Sequence, residues 1–211
     1  MRFIMGLIAM LAFSGCMVKS NVSSFSILPE KYSGKSVSVL GYPKEINDSL
    51  EWRTYKPIFE KQFQQKGFII SAENYADYVA YVTYGIGGPQ TTSHVGSMPI
   101  YGSTGGGTTY HSGTVSTMSG SYGSYSGSSY SMPTYGIVGS STYSYTKTNY
   151  TRTVAINLVD RKSGEKVYES KATSTGSCGM LSEVMDEIAE TIFKKFPKGS
   201  GTVTVSGKFN C

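Results

Sequence analysis

A long low-complexity segment without charged side chains constrains the fold more than any other feature of this sequence. Residues 85 to about 142 contain no Asp, Glu, Lys or Arg, and glycine, serine, threonine and tyrosine dominate them. Twelve of the chain's 17 tyrosines fall between Tyr78 and Tyr150. Because the segment lacks the aliphatic side chains to bury a core of its own, it predicts an exposed insertion, and the core must come from the two flanking parts.

The sequence leaves three interpretations of this insertion open. It is a tolerated loop with no specific partner, a tyrosine-rich contact surface, or a set of additional β-strands. In the second interpretation, the tyrosine side chains offer a large amphipathic contact area to a glycan, a partner protein or another copy of the chain.

The N-terminus has the pattern of a secretion signal. Arg2 supplies a positive charge, and an uncharged, apolar run from Phe3 to Phe13 follows it. A run of about eleven residues is too short to span a bilayer, which takes about 20. The run leads into Leu11-Ala12-Phe13-Ser14-Gly15-Cys16, which resembles the bacterial lipobox, although the lipobox favours Leu at the position of Phe13. This resemblance predicts a signal peptide at residues 1–15 and a lipid anchor on Cys16; an ordinary cleaved signal with an incidental cysteine and a retained anchor are the alternatives.

Lipidation sets the expected compartment. A bacterial lipoprotein carries several acyl chains, whereas a single chain binds a membrane only marginally, so the attachment is expected to be permanent. Residue 17 is Met rather than Asp, and by resemblance to Gram-negative lipoproteins this favours the outer membrane. We therefore expect a protein that is lipid-anchored in the outer membrane and faces the periplasm. Residues 16–30, Ser-rich and without a clear period, would form a membrane tether, and 31–211 the folded domain.

The other two cysteines are a candidate disulfide. An oxidising compartment favours a bond between Cys178 and Cys211. Such a bond would close a loop of about 33 residues and add roughly 3–4 kcal/mol to the stability. Two free thiols or an intermolecular bridge are the alternatives.

The two flanking parts carry the periodicities of strands and helices. Alternating or continuous apolar runs predict strands at Lys35–Tyr42, Phe68–Ser71 and Asp77–Ile86, a hairpin of Thr151–Val159 with about Lys166–Thr175, and a possible last strand at Thr202–Ser206. Apolar residues at helical spacing predict one helix from Asp48 to Gly67 and a last helix through Leu181–Phe196. Pro57 predicts either a kink in the first helix or a start near Lys56.

No motif in the sequence indicates catalysis. Gly34-Lys35-Ser36 lacks the earlier glycine of a phosphate-binding loop, the run from Gly85 to Gly88 lacks the third glycine of a dinucleotide fingerprint, and no G-x-S-x-G elbow occurs. The two histidines, His94 and His111, lie in the segment least able to hold catalytic geometry. We therefore expect a protein that is not an enzyme and has no cofactor; a periplasmic hydrolase that uses both histidines is a third hypothesis.

Charge and composition also argue against nucleic-acid and metal binding. The formal net charge is only +5, and the tyrosine-rich insertion has no interleaved Arg or Lys to bind phosphates. No carboxylate falls between Asp77 and Asp160 that could complete the coordination of a metal by the two histidines. The sequence therefore predicts neither a nucleic-acid partner nor a metal site.

The order of these features resembles the Gram-negative lipoproteins of the domain-of-unknown-function 4136 family over about residues 31–197. In chain order the similar elements are a lipobox cysteine, a strand, a helix that ends in Lys66-Gly67-Phe68, the strand element Ala76-Asp77-Tyr78-Val79-Ala80-Tyr81, a Tyr/Gly-rich insertion, the hairpin of Val154–Asp160 with Lys166-Val167-Tyr168, and a last helix that closes on Lys195-Phe196-Pro197. Tyr168 stands where the family often has Trp, and the tail from Lys198 to Cys211 departs from the family, which gives the disulfide no support. The resemblance implies an α+β lipoprotein domain with no assigned catalytic residues.

Together these features predict a single two-layer α+β domain, with a largely antiparallel sheet, two amphipathic helices on one face and the long Gly/Ser/Tyr-rich insertion. The expected function is a non-catalytic binding or structural role at the cell envelope, with the membrane bound through the lipid anchor and an envelope protein or a glycan as the possible partner. The alternative is a surface adhesive or self-associating protein that acts through the insertion.

Overall fold

The computed structural model describes residues 16–207; the predicted signal peptide at 1–15 and Cys211 lie outside the described residues. The fold is mixed α+β and mostly β, which confirms the predicted class. Its elements in chain order are β1 Cys16–Ser26, β2 Ser36–Gly41, α1 Lys44–Asn47, α2 Leu50–Gln65, β3 Ile69–Ile70, β4 Tyr78–Ile86, β5 Gln90–Thr104, β6 Gly107–Ser116, β7 Tyr122–Ser131, β8 Thr134–Asp160, β9 Lys166–Gly176, α3 Met185–Lys194 and β10 Gly201–Gly207. Thr92–Lys147 form one compact unit, and the rest of the described chain forms the other.

The sheet of the larger unit has the strand order β10-β1-β9-β8-β4-β2-β3. Its pairs are antiparallel except those of β2 with β3 and β4, which are parallel. The predicted hairpin is therefore β8 with β9, and the possible last strand is β10. The sheet is largely antiparallel, as the sequence predicted.

The prediction of a membrane tether at 16–30 is wrong for most of its length, because Cys16–Ser26 form β1, which pairs with β10 on one side and β9 on the other. Every second residue of this segment is buried, but valine and serine alternate at these buried positions. The buried residues of β1 are Val18, Ser20, Val22 and Ser24. Small serines fit close to a packed face when their hydroxyls find partners, as Ser24 Oγ does with Ser170 Oγ at 2.7 Å.

Helix α2 runs without interruption through Pro57. Ser49, and not Asp48, caps it, because Ser49 Oγ accepts a hydrogen bond from the backbone N–H of Trp52 at 3.0 Å. A start near Lys56 is wrong, since the helix begins at Leu50. Pro57 lies on the exposed face, and aromatic side chains before and after it bury the opposite face against the core. These buried residues are Trp52, Tyr55, Phe59 and Phe63.

One hydrophobic core joins the helices to the sheet of the larger unit. Strands β4 and β8 contribute alternating residues to it, among them Ala80 and Leu158, which pair directly across the two strands. Helix α3 contributes the apolar stripe that the sequence predicted, with Ile188 and Ile192 fully buried. The stripe continues past both ends of the helix to Leu181 and Phe196, which are also in the core. Burial of this single face holds the C-terminal segment on the sheet.

The smaller unit consists of strands, as in the third interpretation of the insertion, and the contact-surface interpretation stays a hypothesis. Strands β6 and β7 pair with each other from Gly107↔Ser131 to Ser116↔Tyr122, and β5 pairs with the first part of β8. Tyrosine and threonine have high β-propensity, and the backbone ladder forms without a hydrophobic core. Nearly all of the side chains in this unit are exposed.

Asp77 joins the starts of two parallel strands. Asp77 Oδ2 accepts hydrogen bonds from the backbone N–H and from the Oγ of Ser36, both at 2.9 Å, and the Asp77 N–H donates to Ser36 Oγ at 2.8 Å. These bonds fix the register in which Val37 pairs with Tyr78. They favour the charged form and hold the pKa of Asp77 below its ordinary value.

We expect Asp77→Ala to lower the free energy of unfolding by about 2 kcal/mol at neutral pH, since it removes two charge-assisted hydrogen bonds. The folded pKa lies below the unfolded value of about 3.9, so the stabilisation is complete above about pH 5 and is lost as the pH falls through the folded pKa. Urea unfolding across this pH range measures the effect. Glu165→Ala, at an exposed turn position, is the control; a loss for Asp77→Ala that does not change with pH would contradict the explanation.

Candidate functional site

A row of polar residues crosses the sheet near the position where β1 begins. Ser20 of β1 pairs with Ser174 of β9, Ser174 pairs with Arg152 of β8, and Arg152 pairs with Ile86 of β4. Cys16 begins β1 four positions further along, opposite Gly207. We call the end of the sheet formed by the start of β1, the end of β9 and Arg152 the Cys16 end.

Arg152 is the unusual residue of this row. It follows the alternation that places Val154, Ile156 and Leu158 on the buried face, and only 3% of Arg152 is exposed. Its Nε has no hydrogen-bond partner, and no ion pair of the described chain includes it. Burial lowers the pKa of the guanidinium below its ordinary value. A buried cation without a counter-charge is costly, so Arg152 is the first candidate for a binding residue.

A cavity of about 100 Å³ lies beside Arg152. The lining residues are Met17, Val18, Lys19, Arg152 and Ser174–Cys178. They come from β1, β8, β9 and the segment that follows β9, and all of them belong to the larger unit. The Cys16 end therefore carries a small cavity with one buried and one exposed cationic residue on its wall.

Near Arg152, one more buried polar atom lacks a partner and one glycine lies close to the guanidinium. Ser20 Oγ, in the same row, is buried and has no hydrogen-bond partner. A Cβ on Gly176 would lie 2.6 Å from Nη2 of Arg152, so a side chain at this position would force the guanidinium to move. Two polar groups without partners in one row are unusual, since most buried polar atoms are hydrogen-bonded.

The three predicted site cysteines have different outcomes. Cys16 is the first residue of β1, so the proposed lipid attachment site is also the start of a sheet strand. Cys178 is buried and disulfide-bonded, and it lines the cavity beside Arg152. Cys211 lies outside the described residues. The pairing of Cys178 with Cys211 therefore stays a prediction.

The two histidines lie in the smaller unit, on different strands. The ring of His94 on β5 stacks on Tyr145 at a centroid distance of 5.3 Å. His111 Nε2 on β6 makes a hydrogen bond with Ser129 Oγ at 3.0 Å. Within residues 16–207, no group of three or more His, Cys, Asp and Glu side chains could hold a metal ion.

A second polar cluster, at the start of α2, shows the contrast with Arg152. Glu51 accepts hydrogen bonds from the hydroxyls of Tyr55, at 3.0 Å, and of Tyr84, at 3.4 Å. Burial and the neighbouring carboxylate raise the pKa of both tyrosines, so the hydroxyls stay protonated and donate. Each group here has a partner, and the cluster ties α2 to β4. We interpret it as structural.

Sequence reasoning missed Arg152. The alternation Val154, Ile156 and Leu158 identified a buried face, and Arg152 lies on that face by the same period of two. The sequence did contain an indication of this, namely a charged residue at a position that the alternation assigns to the buried face. The predicted strand Thr151–Val159 already included Arg152, but arginine near the end of a strand is commonly exposed, so the residue was not singled out.

Comparisons with known proteins identify a family and distant structural neighbours. A family model described as "Domain of unknown function (DUF4136)" matches residues 18–198. A PelC dodecamer from Paraburkholderia phytofirmans is 14% identical, with a TM-score of 0.41, over 82% of this chain and 94% of that one. A PDZ domain protein from Parabacteroides distasonis is 13% identical, with a TM-score of 0.43, over 90% of this chain but 39% of that one. No curated protein sequence matches the chain.

No helix among residues 16–207 is both long and apolar enough to cross a membrane.

We expect the Cys178 disulfide to contribute about 3 kcal/mol to the free energy of unfolding, because it restricts the unfolded chain. Chemical unfolding of Cys178→Ala and Cys211→Ala, each compared with the exposed control Ser177→Ala, measures this contribution. If Cys178 pairs with Cys211, both variants and the double variant lose the same amount. A Cys211→Ala protein with full stability and no newly reactive thiol would show that the pairing is wrong.

Proposed function

Since the chain belongs to the DUF4136 family, whose description assigns no activity, its own residues must indicate a role, and from them we propose an outer-membrane-anchored lipoprotein with a non-catalytic binding or structural role at the cell envelope. The observation that carries the proposal is the coincidence at Cys16. The residue that the lipobox pattern marks for acylation is the first residue of a strand within the sheet.

The position of Cys16 has a mechanical consequence for a lipid-anchored protein. An extended chain covers at most about 3.5 Å per residue, so even a ten-residue tether would allow a domain to stand off from the membrane by tens of ångströms. Here the pairing of β1 with β10 begins at Cys16↔Gly207. Acyl chains on Cys16 would therefore hold the Cys16 end against the lipid headgroups, in one orientation. Such a domain is a scaffold with a fixed distance from the membrane.

The proposed compartment rests on one feature of the sequence and one of the structure. Met17, rather than Asp, follows the lipobox cysteine, which favours the outer membrane, and we place the domain on the periplasmic side. The disulfide at Cys178 fits an oxidising compartment. We also propose the two-layer arrangement, with α2 and α3 on one face of the sheet, on the ground that both helices bury their apolar stripes in the single core.

A non-catalytic role is favoured by the surroundings of the candidate groups. His94 and His111 are exposed on strands whose side chains include no carboxylate, and their neighbours are Tyr145 and Ser129. In the cluster at Glu51, the carboxylate accepts hydrogen bonds from the hydroxyls of Tyr55 and Tyr84, so these groups already have partners. The partner bound at the envelope is a protein or a glycan.

The anchor is tested by the intact mass and the membrane fractionation of the natural protein beside Cys16→Ser. We expect the natural protein to have the mass of a chain that starts at an acylated Cys16 and to be found in the outer-membrane fraction. The Cys16→Ser protein should keep its signal peptide and stay unacylated. Ser14→Ala, which keeps a small residue before the cleaved bond, is the control and should be processed normally. An unacylated natural protein, released without detergent, would overturn the proposal.

A second candidate function has one observation in its favour. The smaller unit is made of strands, and it exposes many tyrosines on a surface whose one charged residue is Lys147. Those most exposed include Tyr110, Tyr122, Tyr125, Tyr130 and Tyr135. Strands β6 and β7 contain no Lys and no Pro. Such an uncharged strand pair can add another copy at its edges or bind a flat ligand. The alternative is therefore a surface adhesive or self-associating protein.

Deletion of residues 100–140 separates the two functions. An adhesive or self-associating protein should lose attachment or multimer formation on this deletion, while the larger unit stays folded, because its core receives no residue from the deleted part. A second variant, in which serine replaces these five tyrosines, should reduce self-association without shortening the chain. Sedimentation of the intact protein and of the deletion variant measures multimer formation. The same degree of multimer formation in both proteins would exclude this alternative.

A further inference from the structure

We propose that the cavity at the Cys16 end holds the phosphate group of a membrane phospholipid, with Arg152 as its main ligand. This inference rests on the proposed lipid anchor, because the anchor is what would bring the cavity to the headgroup layer. It adds a specific lipid contact that the anchor alone does not require.

The first step is the charge of Arg152. A guanidinium stays protonated in proteins, and it carries five N–H donors in a planar fork. Only 3% of Arg152 is exposed, and its Nε has no hydrogen-bond partner. No carboxylate of residues 16–207 forms an ion pair with it. Such a group needs an anion beside it, and the cavity supplies the space.

The second step is the fit of the cavity to one tetrahedral anion. Its volume is about 100 Å³, several times the roughly 10–15 Å³ that a cavity needs to hold one water. Besides Arg152, its wall includes Lys19. Ser20 Oγ, a buried hydroxyl without a hydrogen-bond partner, lies in the same row of the sheet as Arg152. Arginine forks match the geometry of phosphate oxygens, which accept two parallel hydrogen bonds.

The third step is the source of the anion. Met17 and Val18 line the cavity and follow directly on Cys16, the proposed acylation site. The cavity therefore lies within a few residues of the acyl chains. At that depth the abundant anion is the phosphodiester of the phospholipids, and a cationic side chain near a membrane surface contributes favourably to binding it. A phospholipid headgroup explains why a buried arginine lies at this end of the sheet.

The test uses the acylated protein, purified in a neutral detergent and phosphate-free buffer, as natural sequence and as Arg152→Met. Arg53→Met, at an exposed position of α2, is the matched control. The thermal midpoint is followed as three probes are added separately: dihexanoylphosphatidylglycerol, dihexanoylglycerol with the same chains but no phosphate, and inorganic phosphate. Circular dichroism confirms that each variant is folded.

We expect dihexanoylphosphatidylglycerol to raise the midpoint of the natural protein and of Arg53→Met by about 5 °C near saturation. Dihexanoylglycerol should have no effect, and Arg152→Met should respond to none of the probes. Without any probe, Arg152→Met should melt no lower than the natural protein, because methionine removes an unpaired buried charge. Gly176→Ala keeps the charge but crowds Nη2, and it should weaken lipid binding about tenfold.

Three results would overturn the proposal. A lower midpoint of Arg152→Met without any probe, and no response of the natural protein, would mean that Arg152 pairs with a carboxylate of the chain itself. An equal response to inorganic phosphate and to the phospholipid at the same concentration would mean a site for free phosphate and not for a headgroup. An equal response to dihexanoylglycerol would mean that the acyl chains alone bind.

Failure of this inference is separable from failure of the anchor. Arg152→Met should keep the acylated mass and the membrane fraction of the natural protein, since the signal and Cys16 are unchanged. An acylated protein without a phospholipid response would overturn the inference and leave the proposed function standing. An unacylated protein would overturn the proposed function, whatever the cavity binds.

Discussion

The pairing of β1 with two neighbours is the interaction on which the arrangement of the larger unit depends. Residues Ser20–Val22 hydrogen-bond with β9 and with β10 at the same time, so β1 is an interior strand. It places β10 in the sheet, although β10 is the last strand of the chain. It also closes the core over α3, which packs against β1, β9 and β10. Without β1 the C-terminal strand would have no partner.

The same pairing concentrates several features at the Cys16 end. Strand β4 ends there at Ile86, and the chain returns there at Thr151, which accepts a hydrogen bond from the Gly87 N–H at 2.8 Å. The buried Arg152, the cavity and the disulfide-bonded Cys178 lie there too. An acyl group on Cys16 would give all of them a common environment at the headgroup layer. The proposed scaffold role and the proposed phosphate contact therefore share one structural cause.

Strong periodicity made much of the fold predictable. Strands β2, β4, β8 and β9 and both long helices follow apolar patterns that any core would require, and the family resemblance agrees with them. Strand β1 was missed because its buried face alternates valine with serine, and a polar side chain hides the period until its cross-strand partner, such as Ser170 for Ser24, is known. The strands of the insertion were left open because they form through backbone hydrogen bonds and not through a core. Arg152 lay in the predicted strand and in phase with its buried face, but it was missed because an arginine near a strand end is usually exposed.

Hydrogen exchange of the membrane-extracted protein in detergent micelles, resolved along residues 17–26, tests most directly whether the sheet begins at the proposed lipid anchor. A strand with partners on both sides exchanges its amides only when the sheet opens. The account predicts that the amides of Val18–Ser24 are protected as strongly as those of Lys171–Ser174 in β9. Exchange of Val18–Ser24 at the rate of an unfolded peptide would contradict it, because the anchor would then be joined to the domain by a tether.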